Sequence, residues 1–417
     1  MTCARSVTAC LLAFLILTAI PRIGWAEPGL LEPEMISEAA VLMDADSGQI
    51  LYAKDPDALM YPASITKILT GYLALKYGNP SDVLTMSGEV VNQVPRSSSH
   101  ISLLPGETIT LEDALYALAL VSANDAAIAI AEHISGSVEA FAELMNREAA
   151  ELGARNSHFV NPNGMPAEDH YTTARDMALI TAEALRMPDF ITYFGKTSYE
   201  IPATNLSEAR SLVSKNRYID GTYACPGLII SKTGWTSSAL GTLVTAAEQG
   251  NTTLIAVVMK SPILEDKYTD TDALFQYGFQ EFQRVRLSRN LMEDKMRELG
   301  MEADCYLSGF APMDVLLPKS VDMQDISVSV PGGFDAGLGV STVPVSVDVA
   351  GRTGRPLHIA DLLLTIAESD PVSQERTVPE TSGAAATKTI HPGAVILLAL
   401  AAVVAVLGLL SKTKVRN

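Results

Sequence analysis

Apolar residues recur along this chain with two different periods, and the places where the period changes divide it. In "VLMDADSGQILY", residues 41–52, two short apolar runs flank an Asp-Ser-Gly turn, which predicts a β-hairpin. "YPASITKILT", residues 61–70, then opens a helix. "TLEDALYALALVSANDAAIAIAEHI", "SVEAFAELMNREAAELGA" and "TTARDMALITAEAL" repeat apolar positions three and four apart, the spacing of helices that bury one face. Thr110 stands as an N-cap ahead of acidic first-turn residues, and Gly153 closes the helix before it. Around residues 228–260 strand-like runs return in "GLIISKTG", "ALGTLVTAAE" and "NTTLIAVVMKS". "TDTDALFQYGFQEF" closes the segment as a helix. The order is hairpin, helical block, strand block, helix. It predicts an α+β fold, an antiparallel sheet assembled from both ends of the segment with a helical lobe against it. From about residue 290, "MDVLLPK", "ISVSVP" and "VPVSVDVA" alternate between Gly- and Pro-rich turns and predict a small all-β domain.

The ends carry a different pattern. Residues 1–26 combine a basic start at Arg5, the short apolar stretch "ACLLAFLILTAI", and Gly24 and Ala26 before Glu27, as an export signal does. "GAVILLALAAVVAVLGLL", residues 393–410, holds neither charge nor proline and is long enough, at about 27 Å of helix, to cross a bilayer. Lys412, Lys414 and Arg416 follow it and favour a cytoplasmic tail. The expected organisation is a signal peptide (1–26), a main domain (27–288) and a β-rich domain (289–368). A flexible linker (369–392), a transmembrane anchor (393–411) and a cytoplasmic tail (412–417) complete it. The protein is then exported, with everything before the anchor outside the membrane.

Composition narrows the function. A formal charge of −18 opposes nucleic-acid binding, which needs a basic face. Of four cysteines, Cys225 and Cys305 remain after signal removal, and the sequence leaves open whether they pair. No CxxC or HExxH pattern occurs among four cysteines and six histidines, so no metal and no cofactor are expected.

Three short motifs can carry chemistry. Ser64 and Lys67 lie three apart, so in a helix the amine reaches the hydroxyl; burial or a nearby cation would let that amine accept a proton. Ser122 and Asn124 project from a turn between two helical runs. Lys232, Thr233 and Gly234 sit within a strand pattern, where a glycine marks a close approach to the backbone. Taken singly, each has a bland reading: a helix start, a helix cap, a strand bend. Taken in order and in these settings, Ser-x-x-Lys, Ser-x-Asn and Lys-Thr-Gly are the triple of penicillin-recognising serine enzymes.

With "VLMDADSGQILYAKDPDALMYPASITK", "LLPGETITLEDALYALALVSANDAA", "NSHFVNPNGMPAEDHYTTARDMALI" and "SKTGWTSS", residues 36–285 resemble the low-molecular-mass D-alanyl-D-alanine carboxypeptidases, peptidase family S11. The resemblance implies a penicillin-binding transpeptidase/β-lactamase-like fold, a five-stranded antiparallel sheet with a helical lobe. It implies a serine-type carboxypeptidase that trims peptidoglycan stem peptides and is acylated by β-lactams. Ser64 is then the nucleophile, Lys67 the general base and Ser122 a proton relay. Asn124, Lys232, Thr233, Gly234 and Trp235 bind substrate, and the N–H groups of Ser64 and Trp235 form an oxyanion hole. Family members place an arginine in the loop after the last strand pair to hold the substrate carboxylate. Lys267 stands there by spacing, a point charge in place of a bidentate fork. Three alternatives stay open: an endopeptidase on cross-linked wall peptides, a β-lactamase using a second base near Glu168, and a non-catalytic sensor.

Overall fold

Strand β1 (Ala39–Asp44) is buried along its whole length, and this sets the architecture. Ala39, Val41 and Met43 belong to one apolar core, Ala40 and Leu42 to a second. A strand covered on both faces reads as an unbroken apolar run, as it does here. The computed structural model describes residues 32–88, 94–298, 306–308, 312–329, 341–349 and 357–367.

The predicted hairpin forms between β1 and β2 (Ile50–Lys54). Two small hairpins, β3 (Val83–Thr85) with β4 (Thr108–Thr110) and β5 (Ser198–Ile201) with β6 (Arg210–Val213), decorate the helical side. The strand block becomes β7 (Leu228–Thr236), β8 (Leu240–Gln249) and β9 (Thr252–Ser261). All five long strands join one antiparallel sheet in the order β2-β1-β9-β8-β7. The sheet is thus built from both ends of the segment, with Leu42 opposite Ala256, Val244 opposite Val257 and Gly234 opposite Thr242.

Helices α1 (Lys67–Tyr77), α2 (Leu111–Leu120), α3 (Asn124–Ser135), α4 (Val138–Glu151), α5 (Ala174–Leu185) and α6 (Pro188–Phe194) bury their apolar stripes in the first core. Each fully buried leucine there, Leu69 or Leu118 for example, contributes about 1.5–3 kcal/mol. Thr110 caps α2 reciprocally: its Oγ1 accepts from Asp113 N at 3.0 Å, and Asp113 Oδ2 accepts from Thr110 N at 3.0 Å. Helix α7 (Asp266–Glu281) covers the second core through Tyr268, Leu274, Phe275 and Tyr277.

Beyond α7 the chain is not purely β. Strand β10 (Phe282–Leu287) leads into helix α8 (Arg289–Glu298), which the alternating pattern did not anticipate. Met292 and Met296, one turn apart, pack on Val315, Leu317, Ile326 and Val328 and give α8 its buried stripe. Strand β11 (Tyr306–Ser308) and β12 (Met313–Pro318) follow, then β13 (Ile326–Ser329), β14 (Ser341–Val349) and β15 (Leu357–Ala367). β10 pairs with β12, and a four-stranded sheet runs β11-β15-β14-β13. Gln49, in the first hairpin, donates to Leu316 O at 2.8 Å and accepts from Leu316 N at 2.9 Å, joining the main sheet to this region.

Among the described residues Cys225 has no disulfide partner, and burial with the charge of Asp272 pushes its thiol pKa up to about 12. The signal segment (1–26), Cys305, the linker (369–392), the apolar span (393–411) and the tail (412–417) lie outside the described residues. Among the described residues no helix is long and apolar enough to cross a membrane.

Candidate active site

The opening "PASITK" folds as a single 3₁₀ turn, Ala63–Thr66, running directly into α1. In a 3₁₀ turn residues three apart eclipse one another, so Lys67 stands over Ser64. Its Nζ lies 3.0 Å from Ser64 Oγ, 2.7 Å from Asn124 Oδ1 and 2.6 Å from Asn163 O. Asn124 Oδ1 and the Asn163 carbonyl can only accept, so they use two N–H bonds of the amine. The third position of Nζ faces a hydroxyl, which can either accept or donate. Lys67 is fully buried. Burial, with the charge of Lys232 added, holds its pKa well below the ordinary lysine value, while the Asp125 carboxylate opposes the fall.

Ser122 occupies the break between α2 and α3 at φ +58°, a left-handed conformation that turns the chain sharply. Its Oγ accepts from Lys232 Nζ at 3.0 Å, and Lys232 also donates to Thr233 O at 2.8 Å. Lys232 is buried on β7, and burial reinforced by Lys267 lowers its pKa to about 7. One continuous hydrogen-bonded cluster thus contains Ser64, Lys67 and Asn124, and a second joins Ser122 to Lys232.

Gly234 brings β7 against the serine turn. A Cβ there would lie 2.9 Å from Ser64 N, 3.1 Å from Ala63 Cβ and 2.3 Å from Thr242 Oγ1. The Thr242 hydroxyl donates to Pro62 O at 2.9 Å and pins the same turn to β8. On the other side the 159–172 loop docks at Gly164, where the turn's Ala63 carbonyl leaves no room for a side chain and φ is +81°. Thr233 is half-buried, and Trp235 is 58% exposed, in register with Gly241.

Lys267 differs from its expected setting. It lies in the first turn of α7 rather than in a loop, because the chain starts the helix at Asp266 directly after "SPILE". It is buried, its Nζ 5.5 Å from the centre of the Tyr268 ring, and its pKa falls to about 8 through burial and the charge of Arg217. Among the described residues no hydrogen bond joins it to the Ser64 cluster, although its charge weighs on Lys232. Glu168 is exposed and outside the cluster.

Sequence reasoning missed several contributors. Asn163 acts through its main-chain carbonyl, which no side-chain motif announces. His170 is buried behind the serine turn, its Nδ1 accepting from Val160 N at 3.1 Å, so its Nε2–H donates to Thr66 Oγ1 at 3.0 Å. Burial, with His158 and Lys67 nearby, lowers its pKa to about 3. Arg217, paired with Glu265 at 3.0 Å, adds a third cation beside Lys232 and Lys267. Asp125 is the remaining one.

A five-stranded antiparallel sheet with a helical lobe, bearing this serine–lysine centre between them, is the architecture of penicillin-binding proteins and DD-peptidases. Residues 28–262 match the family model described as D-alanyl-D-alanine carboxypeptidase, peptidase family S11, and the chain belongs to that family. It is 33% identical over 333 residues to the D-alanyl-D-alanine carboxypeptidase DacF of Bacillus subtilis, covering 78% of this chain and 84% of that protein. Penicillin-binding protein 5 from Haemophilus influenzae superposes with a TM-score of 0.63 at 27% identity, over 82% of this chain and 99% of that one. A D-alanyl-D-alanine carboxypeptidase from Mycobacterium tuberculosis matches with a TM-score of 0.56 at 28% identity, over 61% and 95%.

Proposed function

We propose that this protein is an exported serine D-Ala-D-Ala carboxypeptidase that removes the terminal D-alanine from peptidoglycan stem pentapeptides through an acyl-enzyme on Ser64. The contact of Lys67 Nζ with Ser64 Oγ carries the reading: two acceptors occupy both N–H bonds of the neutral amine and leave its lone pair to the serine hydroxyl. A buried, neutral Lys67 takes the proton of Ser64 as Oγ bonds the carbonyl carbon between the two D-alanines. The oxyanion forms against the N–H groups of Ser64 and Trp235. The C–N bond breaks as a proton passes through Ser122 to the leaving nitrogen. Free D-alanine departs, and water then cleaves the ester and restores Ser64.

Lys232 provides positive potential at Ser122, Asn124 and Thr233 hold the substrate backbone, and Gly234 leaves it room. Lys267 and Arg217 gather positive charge for the terminal carboxylate. A β-lactam presents the same acyl bond but keeps its leaving group tethered, so Ser64 stays acylated. Residues 27–288 form the catalytic domain and 289–368 a β-rich domain. Residues 1–26 direct export, and residues 393–411, charge-free and about a bilayer long, anchor the chain.

Incubation of the full-length protein with a pentapeptide ending in D-Ala-D-Ala tests this. Free D-alanine should appear, and should be absent with Ser64→Ala. Penicillin labelling of Ser64 without D-alanine release would replace the enzyme by a sensor. Steady penicillin turnover would replace it by a β-lactamase.

A further inference from the structure

The site holds two buried lysines, Lys67 and Lys232, and among the described residues neither is ion-paired to a carboxylate. Their partners are hydroxyls, an amide oxygen and main-chain carbonyls. One buried carboxylate stands next to this cluster in the chain. Asp125, 3% exposed, follows Asn124 in the first turn of α3, and it spends its acceptor capacity on main-chain N–H groups. It accepts from Ile101 N at 3.1 Å, from Leu103 N at 3.1 Å and from Ala126 N at 3.0 Å. Asn124 N in turn donates to Ser99 O at 2.8 Å. The 99–103 strap is therefore fastened to the residues that carry Ser122 and Asn124, and Ser102 within it is held at φ +59°. Ala123, at the N-cap of α3, offers no side-chain oxygen, so the turn reaches the strap through Asp125 and the Asn124 main chain.

We propose that Asp125 is a positioning residue of the centre. Its carboxylate fastens the 99–103 strap to the Ser122–Asn124 turn, and its negative charge, spent on no cation by direct contact, acts on Lys67. The main-chain N–H groups hold this carboxylate in place, and from there its charge opposes the fall of the Lys67 pKa. The proposal rests on Lys67 acting as the base, and it deepens that reading.

The other groups that face Lys67 are Lys232 from β7 and a neutral His170 behind the serine turn. Arg96 and His100, with Ser102 and Leu104, line a cavity of about 460 Å³ that Asp125 also borders. Of these groups, Asp125 opposes the depression of Lys67 while Lys232 deepens it. Removing its charge should therefore make Lys67 easier to deprotonate. A loosened strap would slow acylation at every pH, but it would not move the acidic limb.

The test is the pH dependence of the second-order rate of penicillin acylation, followed on full-length protein by mass on Ser64. For Asp125→Asn the acidic limb should move to lower pH while the plateau falls. About one unit below the wild-type midpoint, the variant should reach more than about twofold the wild-type fraction of its own plateau. Exchange of the Ile101 and Leu103 amides should rise at least about tenfold. A limb that stays or moves to higher pH overturns the charge role, and unchanged exchange overturns the strap. If Asp125→Asn does not fold, Asp125→Ser gives the same readings with a short uncharged acceptor. Lys67→Ala separates the two levels. Wild-type-like labelling in that variant would sink the general-base reading itself. Loss of labelling there, with an unmoved limb in Asp125→Asn, would sink this proposal alone.

Discussion

Gly234→Ala isolates the approach of β7 to the serine turn. The residue has an ordinary strand backbone, so alanine meets no conformational penalty and its cost is steric. The added methyl would sit 2.9 Å from Ser64 N and 2.3 Å from Thr242 Oγ1. The hydroxyl can rotate away, at the expense of its bond to Pro62 O. Ser64 N cannot, because Lys67 N already donates to Ser64 O and closes the 3₁₀ turn around it. The strand edge must retreat by about half an ångström to restore contact distance, a typical overpacking strain of about 1–3 kcal/mol. Acylation should suffer more. A donor displaced on that scale from the developing oxyanion costs about 10²–10³ in rate. Stopped-flow acylation by a fluorescent penicillin, beside urea unfolding, reads the two effects separately. Gly234→Ala/Thr242→Ala should recover much of the stability and little of the rate, since it relieves the hydroxyl clash but leaves Ser64 N obstructed. Acylation within about threefold of wild type would refute the close-approach account, as would full rescue of the rate by the double substitution.

Three further outcomes follow from buried titrating groups and a helix cap. Lys232, lowered to about 7, loses its charge as pH rises through neutrality, so KM for the pentapeptide should climb above about pH 7; Lys232→Arg should abolish that climb if charge is what matters. His170 has a folded pKa of about 3 against an ordinary 6.5, so the unfolded chain binds the extra proton between those values. Stability is then complete above pH 6.5 and falls as pH drops toward 3, by roughly 3 kcal/mol between pH 6.5 and 4; urea unfolding of His170→Gln should show that slope flattened. Thr110→Ala should cost about 1 kcal/mol in the same assay through the lost cap on α2, with acylation by penicillin unchanged.

What could be read from the sequence was what lies on one local element. The period of "SITK" places Lys67 beside Ser64 whatever else the chain does, and "IISKTG" reads as a strand from its own residues. Thr110 was legible as a cap because its partner Asp113 is three residues away. The unread parts depend on contacts between distant segments. Asp125 is satisfied by N–H groups more than 20 residues back, and His170 by Val160 and Thr66. Arg217 sits in "SKNRYIDGTY", which has no apolar period, and it matters only because that segment folds beside Lys267. The polar first turn "DKYT" likewise hid the start of α7, whose apolar spacing becomes visible only from Ala273 onward.

The motifs nevertheless converge for one topological reason. Strand order puts β7 at a sheet edge with β8 beside it, and the serine turn rests on both, on Gly234 and on Thr242. A turn can lie that close to a strand only where the strand lacks a side chain, so the glycine of Lys-Thr-Gly and the serine of Ser-x-x-Lys are two halves of one packing contact. The same contact buries two lysine amines near enough to influence each other, since Lys67 and Lys232 flank those two residues. Their depressed pKa values are then a consequence of how the sheet meets the helix, and for Lys67 one carboxylate opposes that depression. That carboxylate is Asp125, which is tied to main-chain amides and not to either lysine.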